Sequence, residues 1–251
     1  MKTKLVCTSL LVLSILSLLA GCTVLTNAGV KVITPSNTIV SENRDVSGFT
    51  AIDFSTLGKI NIIQGDQESL NLSGPDNLVP EISTTVSNGT LIIKDKEKFT
   101  VTNLTSENTL TFTIVVKNLT SLTISGLGDV QVETLSTPNM DLTMSGAGKV
   151  LMNQLTTGNL KINLSGLGGL EISGNATQAT IELSGAGGIN ASNLKLQSVN
   201  ITISGLGGAT LWVTDQLTGT ISGAGSVSYY GNPQTNTNAT GLGQFKSLGS
   251  K

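Results

Sequence analysis

Between about residues 120 and 245, apolar and polar residues alternate in short runs, and each run breaks at the same four-residue phrase. Ser-Gly-x-Gly, once written Thr-Gly-x-Gly, begins at Ser125, Ser145, Ser165, Ser184, Ser204, Ser222 and Thr240, giving spacings of 20, 20, 19, 20, 18 and 18 residues. Apolar residues stand one, three and usually five positions before the phrase, as Leu164, Ile162 and Leu160 do before Ser165. They recur five and seven positions after it, as Leu170 and Ile172 do. Period two on both sides predicts a strand, a corner and a second strand in each repeat, followed by a looser turn such as "TLSTPN" or "QLTTGN".

Two such strands cannot bury a face alone, whereas stacked copies enclose a continuous core. The pattern therefore predicts an all-β chain whose second half is a two-sheet parallel β-solenoid of about seven coils of 18–20 residues. At a ladder spacing of about 4.8 Å, seven coils span roughly 34 Å. An antiparallel sandwich of hairpins is the rival, but hairpins do not require a fixed period near twenty. Carrying strand parity through the corner turns both glycines inward, where converging sheets leave no room for a Cβ. These pairs are Gly126 and Gly128, Gly146 and Gly148, Gly166 and Gly168, Gly185 and Gly187, Gly205 and Gly207, Gly223 and Gly225, and Gly241 and Gly243. The serines then form an outward polar ladder. The x residues alternate without a break: Leu127, Ala147, Leu167, Ala186, Leu206, Ala224, Leu242. Large over small on adjacent coils predicts a packed edge. The alternative is an apolar ridge open to a partner, with Leu127, Leu167 and Leu206 as its contacts.

Residues 38–120 are strand-rich but irregular, with "TAIDFS", "KINIIQG", "SLNLSG", "EISTTV", "TLIIKD" and "LTFTIVV" as candidate strands. Asn88-Gly89 is a hairpin signal, because both residues tolerate positive φ. The charged run Lys94 to Phe99 reads as a solvated turn. This half is expected to extend the solenoid and cap its first coil, since an uncapped coil exposes unpaired strand edges.

The first residues differ from all of this. Lys2 and Lys4 precede an uncharged run from Leu5 to Ala20 that ends in small residues, the layout of an export signal. Leu19-Ala20-Gly21-Cys22 resembles the lipobox of bacterial lipoproteins, in which the cysteine becomes the first mature residue and carries the lipid. Residues 1–21 are thus expected to be a lipoprotein signal peptide, Cys22 the lipidation site, and residues 22–37 a lipidated start and polar tether. Cleavage would leave 251 − 21 = 230 residues and move the formal charge from −2 to −4. Cys7 is lost and Cys22 acylated, so no disulfide is expected.

The order "ENRDVSGFTAIDFSTLGKINIIQGD", then "VSNGTLIIK", then "LTSLTISGLGDV" with the repeats that follow, resembles the bacterial family called putative auto-transporter adhesin, head GIN domain. The resemblance spans about residues 42–245. It implies a right-handed, pectin-lyase-like superhelix of two sheets, with the Gly-rich repeat at the tight turn between them. It also implies an exported protein, often a lipoprotein, with a suggested role in adhesion and no established catalytic residues. The family corner is nearer Gly-Ser-Gly, with a polar middle residue, so Leu or Ala at every corner is a departure toward an apolar edge.

Composition narrows the chemistry. The chain has no His, which removes Ser-His-Asp and Cys-His catalysis and His-containing zinc sites. Its 16 acidic and 14 basic residues form no basic stripe, so no nucleic-acid partner is expected. Asp129 is the only acid placed just after a corner, which argues against a repeated calcium site. No metal or other cofactor is expected. Glycosidases need two facing carboxylates; Glu171 and Glu182 are the pair that adjacent coils could bring together, and isolated surface carboxylates are the simpler reading. Trp212 and Tyr230 are the candidate aromatic contacts, Tyr229 having inward parity.

The reading reached is a non-enzymatic lipoprotein of the cell envelope that binds a glycan or protein surface ligand, anchored through an N-terminal lipid such as palmitate. If the cell has two membranes, the outer one is favoured, because Thr23 replaces the Asp that often retains lipoproteins at an inner membrane. A polysaccharide-active or carbohydrate-binding β-helix protein is one alternative. A structural envelope protein assembling through its Leu/Ala edge is the other.

Overall fold

Alternate residues of the repeats point into one continuous core, and their backbones form parallel ladders. The computed structural model describes residues 30–251; the leader, Cys22 and the tether up to residue 29 lie outside the described residues. The chain runs through β1 (Lys31–Ile33), β2 (Ile39–Arg44), β3 (Ala51–Ser55), β4 (Leu57–Gln64), β5 (Ser69–Pro75), the hairpin β6 (Ile82–Ser87) and β7 (Thr90–Asp95), β8 (Phe99–Val101) and β9 (Thr111–Val116). The repeats follow as β10 (Ser121–Ile124), β11 (Leu127–Met144), β12 (Lys149–Leu164), β13 (Gly169–Leu183), β14 (Gly188–Ile203), β15 (Gly208–Ile221), β16 (Ser226–Tyr230), β17 (Gln234–Ala239) and β18 (Phe245–Ser247).

Each of β11 to β15 runs from one corner to the next and pairs in parallel with its neighbours at the register of the repeat, as in the column Leu142, Ile162, Ile181, Ile201. This is a β-solenoid. β12 alone buries Val150, Met152, Leu155, Leu160, Ile162 and Leu164, and burying such a side chain fully contributes about 1.5–3 kcal/mol before conformational entropy is counted. The segments expected as looser turns stay paired, with register shifts at or beside them in the β12–β13, β13–β14 and β14–β15 ladders. Leu135, Thr137, Leu155, Thr157, Leu194 and Leu196 from those segments are all buried. The hydroxyls of Thr137 and Thr157 donate to the carbonyls of Asn139 and Asn159, both at 3.1 Å, so the bend satisfies the polar groups it buries.

The first half is woven into the same stack. β3 pairs with β10, placing Ile52 beside Leu122, and β4 pairs with β11, placing Leu57 beside Leu127. Residues 51–64 are therefore a coil in their own right, with Ser55-Thr56-Leu57-Gly58 at its corner. On its other side lie β7, parallel to β3, and β9, parallel to β4. This coil is thus clasped between segments that both come later in the chain. Beyond it the ladder turns antiparallel, through β6 against β7, β5 against β9, and β2 against β5. The β6–β7 turn is the expected Asn88-Gly89, at φ 50° and 74°. Phe49, Phe54 and Phe112 fill the core at this end, the last two edge to face with centroids 5.2 Å apart. Lys31–Ile33, expected within the tether, pairs in parallel with β8.

At the opposite end Phe245 lies over Gly219, where an added Cβ would come within 2.7 Å of its ring. Gly219 interrupts an otherwise aliphatic inward column and leaves the ring its space.

Candidate functional site

The corners line up along one edge of the rod, and a hydrogen bond sets their spacing. The amide of each of six x residues donates to the carbonyl of the second corner residue one coil back: Leu127 to Thr56 at 2.9 Å, Ala147 to Gly126 at 3.2 Å, Leu167 to Gly146 at 3.3 Å, Leu206 to Gly185 at 3.1 Å, Ala224 to Gly205 at 3.2 Å and Leu242 to Gly223 at 3.1 Å. This contact draws successive corners together along the rod axis. A Cβ on Gly146, Gly166, Gly185, Gly205, Gly223 or Gly241 would collide with the carbonyl oxygen of the first glycine below it, and one on Gly126 with that of Thr56.

The reason for the first glycine is therefore axial, coil against coil, and not the expected convergence of the two sheets. The second glycine meets both demands, the axial one and crowding by inward side chains. A Cβ on Gly187, Gly207, Gly225 or Gly243 would strike the carbonyl oxygen of the second glycine one coil back, and would also crowd an inward side chain, Leu164 at 3.1 Å, Leu183 at 3.0 Å, and Ile203 and Ile221 at 2.7 Å, while on Gly128 it would meet the Phe54 ring at 3.0 Å. Gly168 is crowded by Met144, and Gly148 only by the preceding coil.

Thr56 shows why one corner escapes the rule. The coil beneath it ends at Asp95, where the chain leaves the stack, so no glycine carbonyl faces its Cβ. Its hydroxyl donates to the Asp95 carboxylate instead. Burial pushes the Asp95 carboxyl above its ordinary value, and the Thr56 hydrogen bond offsets part of that rise.

The corner turns its x side chain away from the stack. Leu127 is 66% exposed, Leu167 77%, Leu206 73% and Leu242 92%. The expected packed edge is not formed, because leucines on alternate coils stand about 9.6 Å apart with only a methyl group between them. The alternative holds: the row is an open apolar crest. Ser125, Ser145, Ser165, Ser184, Ser204 and Ser222 run exposed beside it. At the β1 end the crest enters a groove of about 670 Å³, with Leu57, Leu127 and Ala147 on one wall and Phe99, Val101 and Leu104 on the other.

The other candidates fall elsewhere. Trp212 and Tyr230 are neighbours in register, both half-buried. Lys251 covers them, its Nζ 5.2 Å from the indole centroid and 5.4 Å from the phenol centroid. The same ammonium donates to Asn193 Oδ1 at 2.7 Å and to the Ser192 carbonyl. Glu171 and Glu182 do not meet between coils as the sequence allowed. Glu171 stacks with Leu151 and Asn190 and pairs with Lys149 at 2.6 Å, whereas Glu182 stacks with Asn163 and Thr202 in another ladder. Asp129 accepts the Lys149 amide at 2.9 Å. Glu133 is held below its usual range by hydrogen bonds from Asn153 and then Gln131. No group of three metal-ligating side chains occurs among the described residues.

Two features escaped the sequence reading. The groove depends on residues 99–109 folding back beside the crest, which no local pattern announces. The corner at Ser55 was within reach: "FSTLGKINI" shares Ser, Leu and Gly with "ISGLGDVQV" and keeps its apolar alternation, with Thr56 in place of the first glycine, but it lies 70 residues from the next copy and outside the period.

With this geometry in view, residues 48–233 match the family described as putative auto-transporter adhesin, head GIN domain. The chain belongs to this family. Solved structures agree. A putative adhesin from Bacteroides fragilis NCTC 9343 is 30% identical, with a TM-score of 0.81 over 86% of this chain and all of its own. A putative adhesin and a putative lipid binding protein, both from Parabacteroides distasonis ATCC 8503, share the fold at 22% and 20% identity, with TM-scores of 0.69 and 0.70 over 87% of this chain and all of theirs. A search of curated proteins returns no match. In this head GIN domain the matched span contains the Ser55 corner and the crest from Leu127 to Ala224.

Proposed function

We propose that the protein is an exported, lipid-anchored surface-binding module, attached through Cys22 after removal of residues 1–21 and making its contacts along the corner crest. Membership of a family described as adhesins supports the surface role. The observation that carries the binding reading is the exposed row of Leu127, Leu167 and Leu206, set in line at two-coil intervals and continuous with the groove. Single exposed leucines are ordinary; an aligned set with a groove at its end marks an interaction surface. The crest suits a protein surface better than a sugar, because the aromatic platforms a sugar would need, Trp212 and Tyr230, lie under Lys251. The outer membrane is the favoured location where two membranes exist.

The test is retention of the chain from Thr23 onward, which keeps every described residue, on immobilised matrix proteins, glycans, whole cells and an immobilised copy of the same chain. Parent and L127S/L167S/L206S proteins are compared. Row-dependent retention is the expected result. Equal retention of the two, or none by either, would count against the crest as a binding surface.

A further inference from the structure

The strict alternation of Leu and Ala has a geometric consequence. A row in which large and small residues take turns complements a second copy turned end for end when the two are offset so that unlike residues meet. Counting eight corners, from Leu57 beside Leu127 to Leu242, and reversing one row sets Leu127 against Ala224, Ala147 against Leu206 and Leu167 against Ala186, with Leu57 opposite Leu242 at each end; reversing the seven repeats alone would set like on like. Every leucine of the six corners from Leu127 to Ala224 then meets a methyl-sized gap. Two rods side by side in the same direction and level would instead set Leu on Leu and Ala on Ala. In the reversed alignment Leu242, the most exposed residue of the row, arrives at the groove between Leu57 and Leu104 of the other copy.

The flanks of the crest permit the approach. Just after the corner stand Gly169, Gly188, Gly208, Ser226 and Gln244, uncharged and mostly without side chains. Asp129 and Lys149 would face Ser226 and Gly208, so no like charges oppose each other. Reversal about a two-fold axis lying across the crest keeps the two serine ladders on the same side, where hydroxyl can bond hydroxyl. A contact strip roughly 30 Å long and 15 Å wide buries about 1,000 Å² in total, the low end for a specific, reversible interface.

We propose that the partner bound along the crest is a second copy of this chain in antiparallel orientation. This rests on the crest being a binding surface. The described chain enters at the β1 end of the rod, so antiparallel copies have their entry points at opposite ends. Copies tethered to facing surfaces satisfy that arrangement directly, whereas copies on one surface would need one rod inverted. The module is thus a self-recognising, homophilic adhesin.

Sedimentation of the purified chain from Thr23 onward, across roughly three decades of concentration, is expected to show a monomer–dimer equilibrium that stops at two. L127S/L167S/L206S should weaken it by about tenfold or more. The decisive variant is A147L/A186L/A224L, which makes the row more apolar but fills its gaps. It should also weaken self-association, and mixing it with L127A/L167A/L206A/L242A should restore dimers of one copy of each. All substitutions are at the exposed corner, and circular dichroism checks their folding. A monomer at every concentration, or tighter association of the all-leucine row, overturns the proposal. If the parent is monomeric yet still retained on other proteins through its crest, homophilic pairing fails while the surface-binding reading stands.

Discussion

Glycines in a corner and just after it look alike in sequence, but their neighbours set very different demands. A Cβ on Gly166 would strike the Gly146 carbonyl and could be accommodated only by parting two coils, whereas one on Gly169 meets nothing within 4 Å. Gly166→Ala should therefore cost about 2–3 kcal/mol in urea denaturation. Gly169→Ala should change stability by no more than about 0.5 kcal/mol, with any gain coming from the stiffer unfolded chain. Similar losses from both would refute the coil-against-coil explanation. Asp95 supplies a second test. Its folded-state pKa lies above the unfolded value of 3.8 because burial disfavours the charged form. Between those two values the folded state binds more protons, so this group's contribution to stability falls as pH rises through the window, and the cost persists above it. Asp95→Asn keeps an oxygen for the Thr56 hydroxyl and removes the charge. Its stability relative to the parent should be flat below the window and rise across it, measured by urea midpoints from pH 3 to 7. A relative stability that fell over that range would reverse the sign argued here.

Among the elements, those repeated at a fixed interval were legible and those defined by their neighbours were not. Strands flanking each corner followed from period-two alternation, because a residue that faces the core must be apolar whatever coil it occupies. The turn at Asn88-Gly89 was legible for a local reason, the need for two positive φ angles. By contrast, Thr137 and Thr157 looked like turn residues and are buried, since their hydroxyls are satisfied two residues further on. Thr56 hid a corner because the residue that excuses its Cβ, Asp95, is brought beneath it by tertiary structure alone. Alternation also showed that the x residues differ in size without showing which way they point. The amide-to-carbonyl bond between corners decides that, by turning the x side chain outward in each bonded coil. Likewise, outward parity identified Trp212 as a surface residue, but no pattern announced that Lys251 would cover it.

At the scale of the molecule, a stack of coils is held together chiefly by contacts between neighbours, so an end coil has half the support of a central one. The two ends are closed differently. At one, the ladder turns antiparallel through β6, β5 and β2, and three buried phenylalanines fill the core. At the other, β17 pairs only with β15 among the described strands, all six of its residues are exposed, and closure rests on the half-buried Phe245 over Gly219. Fraying should therefore start from the β17 end. In hydrogen exchange followed by mass spectrometry, peptides from β16 to β18 should exchange first, those from β15 next, and those from β11 to β13 last. Phe245→Ala removes the ring that closes the core and should cost about 1–2 kcal/mol of local stability. Its effect should be directional: exchange accelerates in β15 and β17 while β3, β4 and β9 keep the parent rate. Uniform acceleration along the rod would mean that the solenoid opens as a single unit, and that the antiparallel cap and the aromatic plug are not separate closures.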